Sequence, residues 1–396
     1  MKRTIAIILV VSILMLTGVG SVLHGDYANQ KTISIHPLRQ TALAQYNTHA
    51  PIVITSNADF AANDATGVGT RSDPYTFKNL RIVATETCIE VRDTTAFFVI
   101  SNCKLQSGRA DPVIWFQDLE NGIVENSDVF GGSSGLELNQ VIDCSATGNS
   151  FYGGYNGVLV FNSQNNTIIE NEIHNNQRGV MLDWSDHSSI VNNSIYSNSG
   201  YGIEVAFYSS NNTIYGNSLG WNHDENAFDD GEDNNFDDGV SIGNLWSDYN
   251  SSESYQIPGL GGDIDDFANI LIDTTAPVIV PQYDTAIDVE STGNTLTWLA
   301  GDQFPASYIV QENDAIATSG IWNGEAITID LDHLIVGTYA ITIIIHDGAG
   351  NTASDDVFVS VVSFLLGGLG TELVMLASGI TVASFIIIII LIKKLS

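Results

Sequence analysis

The sequence predicts an all-β protein: a parallel β-helix, then a β-sandwich, then a single apolar helix at the C-terminal end. Three observations carry this prediction. A repeat recurs near every 22 residues, a later stretch reads as short alternating strands between turns, and Leu373 to Ile392 is 20 residues without a charge.

The repeat comes first. Aligned on apolar alternation, the first inward residue falls at Ile89, Ile114, Leu136, Val158, Val180 and Ile203, in steps of 25, 22, 22, 22 and 23. Fixed self-similarity of this length signals a stacked array. Each unit holds period-2 strands such as "GVLVF" and "GIEVA" separated by Asn, Ser and Gly. No unit has the run of 3.6 periodicity that a helix needs, which excludes leucine-rich, ankyrin and tetratricopeptide arrays. Asparagine recurs at Asn102, Asn126, Asn149, Asn171, Asn193 and Asn217, one per coil. An Asn tolerates left-handed backbone at a corner, and stacked amides form a ladder along the axis. These six are therefore expected to be structural.

The stretch "GVGTRSDPYTFKNLRI" (Gly67 to Ile82) leads into the coils, and "NAFDDGEDNNFDDGVSIGNLWSDY" (Asn226 to Tyr249) with "YQIPG" and "GGDIDDF" follows them. Together with the 22-residue coils, these resemble the NosD-like right-handed parallel β-helix proteins, related to carbohydrate-binding and sugar-hydrolase β-helices. The resemblance covers about Pro51 to Asp273. It implies a right-handed β-helix over 51–272, and it carries an association with copper loading of nitrous oxide reductase. Copper transfer wants soft Met, Cys and His groups. Outside the terminal segments Met181 is the only Met, and His174, His187 and His223 are scattered, so the shape transfers better than that activity.

After Asp273 the texture changes. "DTTAPVIVP" reads as a linker, and strand signals such as "TLTWLA", "SYIVQ", "AITIDL", "GTYAITIIIHD" and "DDVFVSVV" alternate with turn signals up to 363. Residues 273–363 resemble immunoglobulin-like or fibronectin-like sandwiches of bacterial and archaeal surface proteins. Such a domain beside an anchor is expected to act as a spacer, with Trp298 and Trp322 in its core.

The two ends complete the organisation. Residues 1–25 read as a secretory signal, basic at Lys2 and Arg3 and then apolar, with an uncleaved anchor as the alternative. Residues 26–50 and 364–372 read as linkers. The uncharged segment 373–392 is long enough to cross a bilayer, and Lys393 and Lys394 place the tail 393–396 in the cytoplasm. The expected protein is thus a single-pass cell-surface protein with its body outside. N-x-Ser/Thr sequons at Asn165, Asn192, Asn211 and Asn250 are expected glycan acceptors. Cys88, Cys103 and Cys144 are an odd number, so this is no disulfide scaffold; a Cys88–Cys103 bridge and buried free thiols both remain open.

Charge narrows the partners. The formal net charge is −33, from 46 acids against 13 Lys and Arg, and no Lys or Arg lies between Arg178 and Lys393. Such a chain repels phosphate backbones, which excludes nucleic acid and leaves glycans or cell-envelope proteins. The alternation turns Glu90, Trp115, Glu137, Leu159, Met181 and Glu204 outward, with Phe161 and Asp183 two residues further along their strands. Rings stack on pyranose faces and carboxylates accept sugar hydroxyls. Trp115, Glu137, Phe161, Asp183, Trp184 and Glu204 are the ligand-binding candidates, and Glu137, Asp183 and Glu204 the catalytic ones should the protein be a glycosidase. The acidic loop reads first as a capping loop that buries the helix end; calcium, the one candidate cofactor, is the alternative, with Asp229, Asp230, Asp233, Asp237 and Asp238 as its ligands. The expected function is a non-enzymatic binding or architectural module for glycans or envelope proteins. A surface polysaccharide lyase or glycoside hydrolase is the alternative, and copper-protein maturation the second.

Overall fold

The computed structural model describes residues 46–108 and 110–363. The expected signal segment and C-terminal apolar segment lie outside the described residues. From Asn47 to Ile270 the chain winds a right-handed parallel β-helix of about eight turns, the hand that parallel crossovers take. Three parallel sheets form its walls: one of ten strands, one of eight and one of seven. The eight-stranded second sheet runs through Ile52–Ile54, Ile89–Arg92, Ile114–Gln117, Ser134–Asn139, Asn156–Phe161, Arg178–Asp183, Ile203–Val205 and Ala227–Asp229. Ile89, Ile114, Leu136, Val158, Val180 and Ile203 are fully buried inside it. Alternation of side chains across the pleat fixes this register, because a one-residue slip would turn every apolar residue outward.

Polar ladders hold the corners. Asn149, Asn171, Asn193 and Asn217 each accept the preceding coil's backbone N–H on Oδ1, at 2.9 Å, and each amide donates back to a carbonyl of that earlier coil. The ladder starts at Ser127, which accepts from Cys103 N–H, and runs past Asn217 to Asn244 and finally to the buried Asp265. Asn102 and Asn126 are not its rungs. They stand one residue earlier with φ of 49° and 50°, beside Gly148, Glu170, Asn192 and Gly216 at the same left-handed step. The left-handed residue and the rung are therefore different positions, which a one-residue alignment slip merged. Further ladders run through Asn176, Asn198 and Asn222, through Ser163, Ser185 and Ser209, and through Asn166, Ser188, Asn212 and Asn234. Each satisfies buried backbone donors that the turns leave without a strand partner.

Both ends of the core are closed. A short helix, Asp59–Ala62, lays buried Phe60 on Tyr75 at 4.6 Å. At the far end Trp246 stacks on Tyr255 at 4.1 Å and donates to Asp265 at 2.9 Å. All three cysteines are buried free thiols, so no Cys88–Cys103 bridge forms.

Nine further strands lie between Val278 and Val362. Thr285–Asp288, Thr352–Val362, Gly337–Asp347, Pro305–Glu312 and Ala315–Ile321 form one sheet in that order, antiparallel except at its first pair. Thr295–Trp298 pairs with Ile327–Asp330 and shares a core with that sheet, including Trp298, Trp322, Val310, Ile343 and Val359. This part does not hang free as a spacer. It lies against the ten-stranded first sheet, where Glu325 meets Lys104 at 2.7 Å, Asn323 donates to the Tyr152 hydroxyl at 2.9 Å, and Phe304 packs on Tyr196 and Trp221.

Candidate functional site

The C-terminal strands contact the first sheet between Lys104 and Trp221, and the eight-stranded second sheet is the wider of the two other walls. Its central row pairs Glu90 with Trp115, then Glu137, Leu159, Met181, Glu204 and Phe228, each opposite the next. A second row carries Arg92, Gln117, Asn139, Phe161 and Asp183. The alternation thus places Trp115, Glu137, Phe161, Asp183 and Glu204 on one face, with Trp184 at its edge.

The cations of this face are engaged. Arg92 pairs with Glu90 at 2.8 Å and reaches Asp93 at 3.6 Å. Arg178 binds the Glu204 carboxylate and the Tyr155 hydroxyl, and lies over the Tyr155 ring. Burial raises the Glu137 carboxyl above its ordinary range, against a lowering hydrogen bond from Asn139, and burial raises Asp183 as well. No acid of the central or second row stands opposite another. Glu137 faces Trp115 and Leu159, Asp183 faces Phe161, and Glu204 faces Met181 and Phe228. Glu137 and Asp183 lie two strands apart, about 10 Å along the axis at the spacing of adjacent strands, at the outer limit of the separations glycosidases use. Asp183 and Glu204 are on neighbouring strands, but Glu204 is held by Arg178.

Trp184 ends the second row in left-handed backbone, φ 52°, where earlier coils have Asp93, Asp118, Gln140 and Asn162. A bulky side chain there costs about 1–3 kcal/mol and persists only when something else requires it. Its ring stacks on Tyr208 at 4.0 Å, and Phe207 meets Tyr208 edge-on at 5.0 Å. All three are more than half exposed: Trp184 at 52 %, Tyr208 at 57 % and Phe207 at 54 %. Sequence reasoning identified Trp184 but missed Phe207 and Tyr208. They sit in a turn after Val205, where strand alternation assigns no face; the cluster "AFYSS" in a corner otherwise built of Asn and Ser was the available signal.

The acidic loop is used differently from a metal site. Asp229 is buried and accepts from Gly231 N–H and Asn234, Asp238 takes the N–H groups of Val240, Ser241 and Ile242, Asp237 takes Gly239 and Asp266, and Asp230 takes Leu260. These carboxylates cap backbone donors at the end of the helix, and with Asp233 they supply no converging set; the calcium expectation finds no support here. Among the described residues the one converging acid trio is Asp273, Asp302 and Asp347, at the junction with the C-terminal strands. Burial, with the Asp347 and Asp273 charges, raises Asp302 to about 6.

Copper fits no better. Burial pushes the Cys88 and Cys103 thiols up to about 11 and Cys144 to about 12, away from the thiolate that binds metal. His174 is sealed between the Tyr152 and Tyr196 rings, and Met181, the one Met among the described residues, stands alone on the open face. No described trio of metal-ligating residues contains a His or Cys. The described residues do not fit a copper site. The four sequon residues Asn165, Asn192, Asn211 and Asn250 are all exposed.

The model of the family described as "Periplasmic copper-binding protein (NosD)" matches residues 51–251. Among solved structures, the chain is similar to a point mutant of the periplasmic alginate epimerase AlgG, at 17 % identity over 52 % of this chain, with a TM-score of 0.35. It spans 47 % of that protein, about half its length. It is also similar to the enzymatically active domain of tailspike protein 2 of bacteriophage CBA120, at 10 % identity over 79 % of this chain and 71 % of the other, with a TM-score of 0.33. No curated protein matches. The family is described as periplasmic, which corrects the expectation of a single-pass cell-surface protein; among the described residues no helix is long and apolar enough to cross a membrane. With half of its length matched, the chain belongs to the NosD family.

Proposed function

We propose that this protein is a periplasmic, non-enzymatic glycan-binding module. Its open second-sheet face holds an uncharged polysaccharide, and the C-terminal strands form an immunoglobulin-like brace on the opposite side. The observation that carries the reading is the exposed Trp184–Tyr208 stack, kept in unfavourable backbone at the end of a row of carboxylates. Pyranose faces stack on such rings, and Glu137 and Asp183 accept hydroxyl hydrogen bonds along the row. Both arginines of the face are already paired, so it offers no free cation to a polyanion. The absence of opposed acids in its rows favours binding over hydrolysis. Four exposed sequons are proposed glycan acceptors in a host that modifies them. The test titrates neutral oligosaccharides against tryptophan fluorescence and measures reducing-end release in the same tubes. Saturable quenching that Trp184→Ala removes, without release, is expected. Release that Asp183→Asn abolishes would make the protein a hydrolase instead.

A further inference from the structure

The leading motif Gly67 to Ile82 has no part in the ring-bearing face. Thr70 and Asp73 close a turn through two backbone hydrogen bonds of 3.2 Å, and Phe97 N–H ties the same loop down at Gly69 O, 3.0 Å. The turn holds the Arg71 guanidinium over the Phe97 ring at 5.4 Å. Arg71 lines an open groove of about 640 Å³ on the seven-stranded third sheet. Asn121, Asp143, Ser145 and Thr167 line it too, and Ser145 and Thr167 stand directly opposite each other on adjacent strands. Among the described arginines Arg92 and Arg178 are held in ion pairs, whereas Arg71 is in none. A protein of net charge −33 thus keeps an unpaired guanidinium at the wall of a hydroxyl- and amide-lined groove.

We infer that this groove is a second carbohydrate site, specific for uronate-bearing oligosaccharides. The planar guanidinium, held from one side by Phe97, presents its N–H edge to a sugar carboxylate in bidentate fashion. Ser145, Thr167 and Asn121 exchange hydrogen bonds with ring hydroxyls, and Asp143 accepts from another. The surrounding acids exclude longer polyanions, so a short segment binds, with an affinity that falls as salt screens the exposed Arg71. This site is separate from the ring-bearing face and takes an anionic sugar where that face takes an uncharged one.

The test is calorimetric titration of the full chain, made in a host that leaves Asn165 unmodified because that sequon residue also lines the groove. The probes are tetragalacturonate and maltotetraose, compared in the Trp184→Ala chain so that neutral-sugar binding on the ring-bearing face does not enter. Tetragalacturonate is expected to bind at least roughly tenfold more tightly, a difference of about 1.4 kcal/mol. Arg71→Gln should remove that preference, and Thr167→Tyr should fill the groove and abolish binding at an unchanged melting temperature. Trp184→Ala should leave tetragalacturonate binding intact. Equal affinity for the two probes, no binding of tetragalacturonate, or binding untouched by Arg71→Gln would each overturn the inference. Loss of uronate binding in Trp184→Ala would do the same, by placing it on the other face.

Discussion

Trp184 and Trp221 are the same departure from the repeat made twice. Each puts an indole at a left-handed corner that other coils fill with small or polar residues, with φ of 52° and 54°. Trp221 follows the first sheet and is covered by Phe304 of the C-terminal strands at 5.2 Å. Trp184 follows the second sheet and has only Tyr208 and Phe207 beside it. Trp221 is covered from outside the β-helix; Trp184, stacked only on its own corner, stays 52 % exposed. The regular part of each coil builds the wall, and the residues that break regularity determine what each wall meets.

The largest expected effect breaks the covered side. Tyr196→Ala removes a fully buried ring between His174 and Phe304 and should cost about 3–5 kcal/mol in urea unfolding. It should also separate the unfolding of the C-terminal strands from that of the β-helix. Trp184→Ala, its counterpart on the open side, removes an exposed ring but keeps the Cβ that makes left-handed backbone costly, and should change stability by less than about 1 kcal/mol. A comparable loss from both would mean that the two sides are equally structural.

Asn171→Ala should cost on the order of 3 kcal/mol, since it strips the acceptor from Asn149 and leaves Ala146 O without its donor. Loss below about 1 kcal/mol in the same denaturant series would contradict a ladder that satisfies buried groups. This result bears on what the sequence could say. The 22-residue period, the inward row and the outward row were legible because each depends on alternation alone. The rung assigned to Asn102 and Asn126 was not, since the left-handed residue and the rung are neighbours and both favour Asn. Nor was the docking of the C-terminal strands on the first sheet. Tyr152, His174 and Tyr196 are outward residues of successive coils, and sequence does not show which outward row will be covered.

The covered side should also respond to acid. Burial lowers His174 to about 3 from an ordinary 6.5. Its folded value lies below its unfolded one, so the neutral ring's contribution is full above about pH 6.5 and is lost as pH falls towards 3. Between about pH 7 and about pH 4 the loss should be on the order of 3 kcal/mol. His174→Phe keeps the stack and should flatten that limb; an unchanged profile would show that the ring titrates freely.

The smallest effect lies at the acid trio. Asp302 is raised to about 6 from 3.8, so its contribution is present below pH 3.8 and is lost as pH rises through 6. Asp302→Asn should therefore make the protein slightly more stable at about pH 8 than the parent and no more stable at about pH 3, by thermal melting in the two buffers.

The contrast between a covered and an open wall is tested most directly by hydrogen exchange with a neutral polysaccharide at saturation. Protection gained at Arg178–Asp183 and through the Ala206–Tyr208 turn, with Tyr152, His174 and Tyr196 unchanged, is the predicted footprint. No gain on the second sheet at saturation, or protection confined to other walls, would contradict the account.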